Sequence, residues 1–391
     1  MRLLGPVTFE TGLFYVSFAI CAFTTLMVRT TYDSVFGMPK DAFEPFAYAI
    51  SALLLVLKIL REREPSVRFA GAILLLVVGT LSFWFAGSWR FSALFFFIAA
   101  GKDVSLRWLA AIALVVQGAV LAVTLPLALA GKLYSFTVWR EVDGTWMPRS
   151  SYGYGHPNFL GEVFLVIALA YAALRFPRFK VPDALVYAAL ALAAALLVWS
   201  RTATACIVLA AALALASTRI VRSRARQKTA AVLALVMLCA LGGFSLTMMV
   251  VYDPEVPWMA AADQALSTRL SLANRFYEVF PPTPFGRTVM AVRLEDFVQE
   301  MPDNAYVMAL VKQGIVPALC LLALVLATYL SAVRHARWDA CILGLAVYSV
   351  GSIMEMYAVN FTLDFFLIGA AFTWYACWPD STGTPRKQVG T

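Results

Sequence analysis

The residues from Tyr152 to Glu162 read Tyr-Gly-Tyr-Gly-His-Pro-Asn-Phe-Leu-Gly-Glu and run straight into an apolar block. They place three groups able to handle a polar ligand at the mouth of a helix. His156 titrates near neutral pH, Asn158 carries both a donor and an acceptor, and Glu162 follows one turn into the helix. Capping is the competing use of this segment. Proline suits the first helical turn and asparagine is a preferred cap, so capping accounts for Pro157 and Asn158 but does not require His156. Asp303-Asn304 stands before another apolar block and has the same two readings.

The second set of candidates is cationic. Arg201 lies in Trp199-Ser-Arg-Thr-Ala-Thr204 at the junction of two apolar blocks, and Arg269 and Arg275 lie six residues apart in a polar stretch, followed by Arg287 and Arg293. An arginine is always charged, and its planar fork matches phosphate oxygens. Several of them beside a bilayer suit a diphosphate or another anionic lipid head group. The alternative is ion pairing with Glu278, Glu295, Asp296 or Glu300. Glu355, in Gly351-Ser-Ile-Met-Glu-Met-Tyr357, falls deep in an apolar block. There an unpaired ionisable group costs at least ~2.5 kcal/mol and is a functional candidate by default.

The elements that must hold these groups are membrane helices. The chain is 61% hydrophobic and 14% charged, with mean hydropathy +0.78, against roughly half apolar and a quarter charged for a soluble domain. Twelve spans are expected, near 12–28, 45–60, 69–86, 88–101, 108–130, 157–174, 182–199, 203–217, 230–251, 305–331, 339–357 and 361–376, the fourth being short. No block has the cleavage pattern of a signal peptide, so the first is read as a retained helix. The net charge of +8 is explained by its distribution and not by nucleic acid. Alternate loops collect the basic residues, most densely over Arg219–Lys228, which places both termini on the cytoplasmic side. The six cysteines, Cys21, Cys206, Cys239, Cys320, Cys341 and Cys377, all fall in apolar spans and read as small hydrophobic residues rather than disulfide or metal partners.

One integral membrane domain over 1–391 is expected, with no internal repeat. Outward segments fall at 29–44, 131–156 and 252–304. A loop as long as the last is functional or folded. Within it Leu266, Leu270, Ala273 and Tyr277 recur at helical spacing, Ser267 is a plausible N-cap, and Pro281-Pro282-Thr283-Pro284 ends the helix. This predicts an amphipathic helix lying on the outer membrane surface.

Taken together these motifs resemble the Wzy-type oligosaccharide repeat-unit polymerases, within the O-antigen polymerase and ligase family. The segment Tyr154-Gly-His-Pro-Asn-Phe-Leu-Gly161 resembles a polymerase motif, and Ser200-Arg-Thr202 resembles the start of the core shared with ligases. Ser267-Thr-Arg269, Asn274-Arg275 and Pro284-Phe-Gly286 follow that family's long-loop pattern, and Asp303-Asn-Ala-Tyr306 with Gly314-Ile315 resembles the segment closing it. The likeness covers about 150 to 391. In the ligase branch a histidine precedes the asparagine, where this chain has Asp303.

The resemblance implies an all-α polytopic membrane protein of about twelve transmembrane helices, GT-C-like, with one long outward loop carrying short amphipathic helices. It implies a metal-independent glycosyltransferase without cofactor, in the bacterial cytoplasmic membrane with its site facing outward. Such an enzyme joins polyprenyl-diphosphate-linked repeat units during capsule, exopolysaccharide or O-antigen synthesis. His156, Asp303 or Glu355 would orient or deprotonate the acceptor. Arg201, Arg269 and Arg275 would hold the diphosphate, with Asn158, Glu162 and Asn304 binding substrate. Membrane lipids, a chain-length regulator or a flippase would be its partners. Two rival functions stay open: a ligase moving finished glycan onto a lipid or protein acceptor, and a transporter of lipid-linked glycan.

Overall fold

The computed structural model describes residues 6–37, 39–62, 66–142, 145–293, 298–299 and 301–376. The ion-pair candidates Glu295, Asp296 and Glu300, and Cys377, lie outside these residues. In chain order the elements are α1 (Phe9–Met27), a one-turn α2 (Asp33–Phe36), α3 (Lys40–Arg61), α4 (Ser66–Ala86), α5 (Trp89–Ala99) and α6 (Leu106–Leu129). The hairpin β1 (Thr137–Val142) and β2 (Thr145–Ser150) follows. Then come α7 (Pro157–Arg175), α8 (Val181–Leu192), α9 (Arg201–Ile220), α10 (Arg224–Val251), α11 (Pro257–Ala265) and α12 (Arg269–Val279). A short pair β3 (Val292–Arg293) and β4 (Val298–Gln299) precedes α13 (Ala305–Val311), α14 (Ile315–Arg334), α15 (Ala340–Gly351) and α16 (Ala370–Ala376).

Among the described residues, eight helices are long and apolar enough to cross a membrane: those that begin at Phe9, Ala42, Arg68, Leu106, Pro157, Arg201, Arg224 and Ile315. The protein is therefore all-α and compatible with a multi-pass membrane protein. Four further apolar helices are shorter, at Trp89–Ala99, Val181–Leu197, Ala340–Gly351 and Phe365–Tyr375. They occupy the remaining four expected spans. At about 1.5 Å per residue the eleven residues of α5 cover about 16 Å, half of a ~30 Å hydrocarbon core.

Several expected spans prove to be interrupted. The span expected over 305–331 breaks between α13 and α14 at Gly314, whose φ is +98°. The turn Thr283–Gly286 explains the break: Thr283 and Pro284 carbonyls accept from the Ile315 and Val316 N–H groups at 2.9 Å each, and the Lys312 carbonyl accepts from Arg287 at 3.0 Å. Gly286 also has positive φ, +90°, and a Cβ on either glycine would run into the facing backbone. Only glycine meets both demands. The span expected over 339–357 ends as an α-helix at Gly351, so Glu355 lies beyond it, ahead of the 3-10 turn Met356–Val359. Glu355 is therefore not a mid-helix residue.

The chain folds into two compact units. The first comprises Met1–Glu62, Asp103–Arg222 and Asp339–Gly344, and the second Arg63–Lys102, Ser223–Trp338 and Leu345–Thr391. In the first, α7 is the central helix: Phe159, Leu160, Val163, Val166 and Leu169 are all buried. It approaches the start of α9 closely because residue 161 is glycine, whose absent Cβ would fall 2.7 Å from Ser200 Oγ. In the second unit a core of Met249, Leu272, Phe276, Val292, Val307 and Val311 joins α10, α12, β3 and α13. This corrects the expectation for the long loop. The apolar face of α12 packs on the protein's own side chains rather than on a membrane surface, because α10 and α13 present a matching apolar face. The helix also starts later than expected. Ser267 and Thr268 both have positive φ, and Asp263 does the capping, its Oδ1 accepting from the Leu270 and Ser271 N–H groups at 2.7 and 3.1 Å.

Candidate functional site

The candidate residues fall into two clusters, one in each unit. In the first unit His156 is itself the N-cap of α7. Its backbone is extended, and its Nδ1 accepts the Asn158 N–H at 3.1 Å. This ring nitrogen must be unprotonated to accept, so the cap favours the tautomer that carries its proton on Nε2. Asn158 is not the cap. Its Oδ1 accepts from Arg149 Nη2 at 2.6 Å. Glu162 is buried one turn further along the same helix face.

Arg149 is a functional candidate that the sequence reading passed over. It lies at the end of β2, is 7% exposed, and donates from Nε to the Val198 carbonyl at 3.1 Å. That carbonyl belongs to the break before α9. There the π-turn Ala193–Leu197 ends, Ser200 N–H reaches back to Ala194 O at 3.0 Å, and Trp199 has φ of +53°. One guanidinium thus ties the start of α7 to the segment that launches Arg201. Arg201 begins α9 and is exposed. A cation at a helix N-terminus opposes the helix dipole, an arrangement that an anion relieves. The local signal for Arg149 was a charged residue in an alternating segment; its meaning depends on Val198, far along the chain.

In the second unit three sequence-distant stretches meet at Arg269. Its Nη2 lies 3.2 Å from Asp303 Oδ2, its Nε donates to the Met354 carbonyl at 3.2 Å, and its Nη1 donates to the Ser267 carbonyl at 3.2 Å. Both members of the ion pair are largely buried. Burial pushes the Asp303 carboxyl above the usual carboxylate range, and the Arg269 charge beside it pulls the other way. Next to it Asn304 caps α13: its Oδ1 accepts from the Tyr306 and Val307 N–H groups at 3.0 and 3.2 Å, and its Nδ2 donates to Ser245 Oγ at 3.1 Å. Three of the four hydrogen-bonding positions of the Asn304 amide are thus used within the fold. Ala305 N–H donates to Ser352 O at 2.8 Å, which joins the α13 start to the segment carrying the buried Glu355. Arg275 lies apart from this cluster, half-exposed, with Nη1 3.1 Å from Glu278 Oε2.

The two helix-initiating arginines share a feature. Trp199 precedes Arg201, and Ser267-Thr268 precede Arg269, and all three residues sit in the left-handed region. Strained backbone of this kind costs about 1–3 kcal/mol per residue and concentrates at functional sites. Comparison with known proteins adds nothing to this geometry: no family model, curated protein or solved structure matches the chain.

Proposed function

We propose that this protein is a membrane glycosyltransferase that polymerises polyprenyl-diphosphate-linked oligosaccharide repeat units on the outer face of the bacterial cytoplasmic membrane. The observation that carries the reading is the convergence of Ser267–Arg269, Asp303–Asn304 and Met354–Glu355 around one ion pair. A buried carboxylate of raised proton affinity, held by an arginine in an extramembrane segment, has the properties of a general base. In the reaction an acceptor hydroxyl attacks the anomeric carbon of the donor glycan. The new glycosidic C–O bond forms, the bond from that carbon to the diphosphate breaks, and the hydroxyl proton passes to Asp303. The diphosphate departs with the bonding electrons.

Arginine side chains supply the electrostatic stabilisation of the leaving group, the largest contribution in transfers of this kind. Arg269 serves the carboxylate as well, and Arg275 stands on the exposed side of α12 with a flexible partner that a diphosphate can replace. In the first unit, taken by itself, Arg201 and the Arg149–Asn158–His156 cluster form a polar, cationic surface. The proposal includes a GT-C-like arrangement of twelve spans with both termini in the cytoplasm, and a chain-length regulator as partner.

Deleting the gene in its native host and profiling glycan length tests the reading. Single repeats left on the lipid or surface acceptor are the expected result. Long polymer stranded on the polyprenyl carrier identifies a ligase, and an unchanged profile returns the transporter.

A further inference from the structure

The hairpin β1–β2 has two different faces. Trp139 pairs with Pro148, and Glu141 with Trp146, so the two tryptophans are diagonal neighbours on one face, about 7 Å apart. They are 58% and 61% exposed, and Thr137 and Pro148 on the same face are exposed too. The opposite face carries Val138, Met147 and Arg149, which are partly or fully buried. Arg149 fastens it to Val198 and Asn158. The base is fastened as well: Ser151 N–H donates to Phe136 O at 2.9 Å, and Thr31 Oγ1 donates to Tyr134 O at 2.7 Å. The element is thus held in one orientation, while Trp139 and Trp146 stay exposed among the described residues.

What covers that face is indicated by where its apolar surface comes from. Val115, Val123 and Leu129 are exposed along α6, which is long and apolar enough to cross a membrane. Further exposed aromatic side chains follow along the chain after α6, at Tyr134, Phe136 and Trp139. An apolar groove of about 480 Å³ beside α6 is lined by Phe23, Tyr32, Val115, Val123 and Leu127. Tryptophan and tyrosine collect at the headgroup layer, where an apolar ring and one polar N–H or O–H are both accommodated. Left in water, an exposed aromatic strand face is an aggregation hazard.

We propose that the hairpin is a membrane-surface anchor whose Trp139 and Trp146 face lies in the phospholipid headgroup layer at the end of α6. Its opposite face then holds Arg149, Asn158 and His156 at the depth of lipid phosphates. This inference is independent of the polymerase reading.

Spin labels test it on the full chain in nanodiscs of phosphatidylcholine and phosphatidylglycerol. They are placed singly by Trp139→Cys and Trp146→Cys in a background lacking Cys239, Cys320 and Cys377. Reference labels replace Leu233, exposed on α10, and Glu255, exposed in a loop. Collision with oxygen should exceed collision with a water-soluble nickel complex at both hairpin sites, at a depth between the references. Accessibility matching the Glu255 label overturns the proposal. So does protection from nickel only on adding soluble oligosaccharide, which marks a sugar-stacking face. A second measurement needs no cysteine. Lipids brominated near the glycerol should quench more of the wild-type tryptophan emission than that of Trp139→Phe/Trp146→Phe, and equal quenched fractions contradict the anchor.

Discussion

Asp303 Oδ2 lies 3.2 Å from Arg269 Nη2, a largely buried pair that joins the helix of the long loop to the segment closing it. Burial raises the proton affinity of Asp303 and Arg269 opposes the rise. In this account product formation needs Asp303 deprotonated, so activity should fall on the acid side at a higher pH than for an ordinary aspartate. Asp303→Asn should lower kcat by roughly 100- to 10,000-fold, the usual range for a lost general base, and should abolish that acid limb. A pH–rate profile of the variant that keeps the limb assigns the base elsewhere.

Because Arg269 lowers the Asp303 pKa, its removal has a defined sign. Arg269→Gln should move the acid limb to higher pH, and Arg269→Lys should move it less. The same raised pKa makes the carboxylate a cost to folding at neutral pH. Stability linked to this group is fully present below its unfolded pKa and is lost as pH rises through the folded value. Thermal melts across this window should show that loss in the wild type and lack it in Asp303→Asn.

Arg275→Ala tests a different kind of residue. Its pair with Glu278 is exposed, and such pairs contribute about 0–1 kcal/mol. The thermal midpoint should therefore stay at the wild-type value, while KM for lipid-linked substrate rises with little change in kcat. Unchanged KM would remove Arg275 from the substrate surface.

Arg149→Ala leaves the Val198 carbonyl and Asn158 Oδ1 without their donor. Each lost partner of a buried group costs ~1–3 kcal/mol, so a lower denaturation midpoint is expected. Arg149→Lys keeps the charge but not the planar fork that reaches the two acceptors from Nε and Nη2. It should recover stability only in part. Full recovery by lysine would mean that charge alone matters there.

Much of this was readable from the chain because it depends on local pattern. Apolar blocks mark membrane helices wherever water must be avoided, and Pro157 and Asn304 mark helix starts locally, the first through its fixed φ and the second through its side-chain cap. The breaks were less visible. Gly314 is one glycine in an apolar run, and it breaks that run as the N-cap of α14, where Thr283 and Pro284 supply acceptors from elsewhere. The pattern Leu266, Leu270, Ala273 and Tyr277 identified an apolar helix face, but periodicity cannot say whether lipid or protein covers it. Here Met249 and Val311 do. Arg149 was missed for the same reason, since its partners are set by tertiary packing. His156 is singled out by its neighbours, while its capping bond to Asn158 needed the structure.

The most direct measurement supplies purified protein in nanodiscs with lipid-linked repeat units extracted from the deletion strain. The account predicts a ladder of glycans rising by whole repeats, with one polyprenyl diphosphate released per bond formed, and both slowed by at least about 100-fold in Asp303→Asn. Repeat units that remain single, with no diphosphate released under any condition that keeps the protein folded, would contradict it.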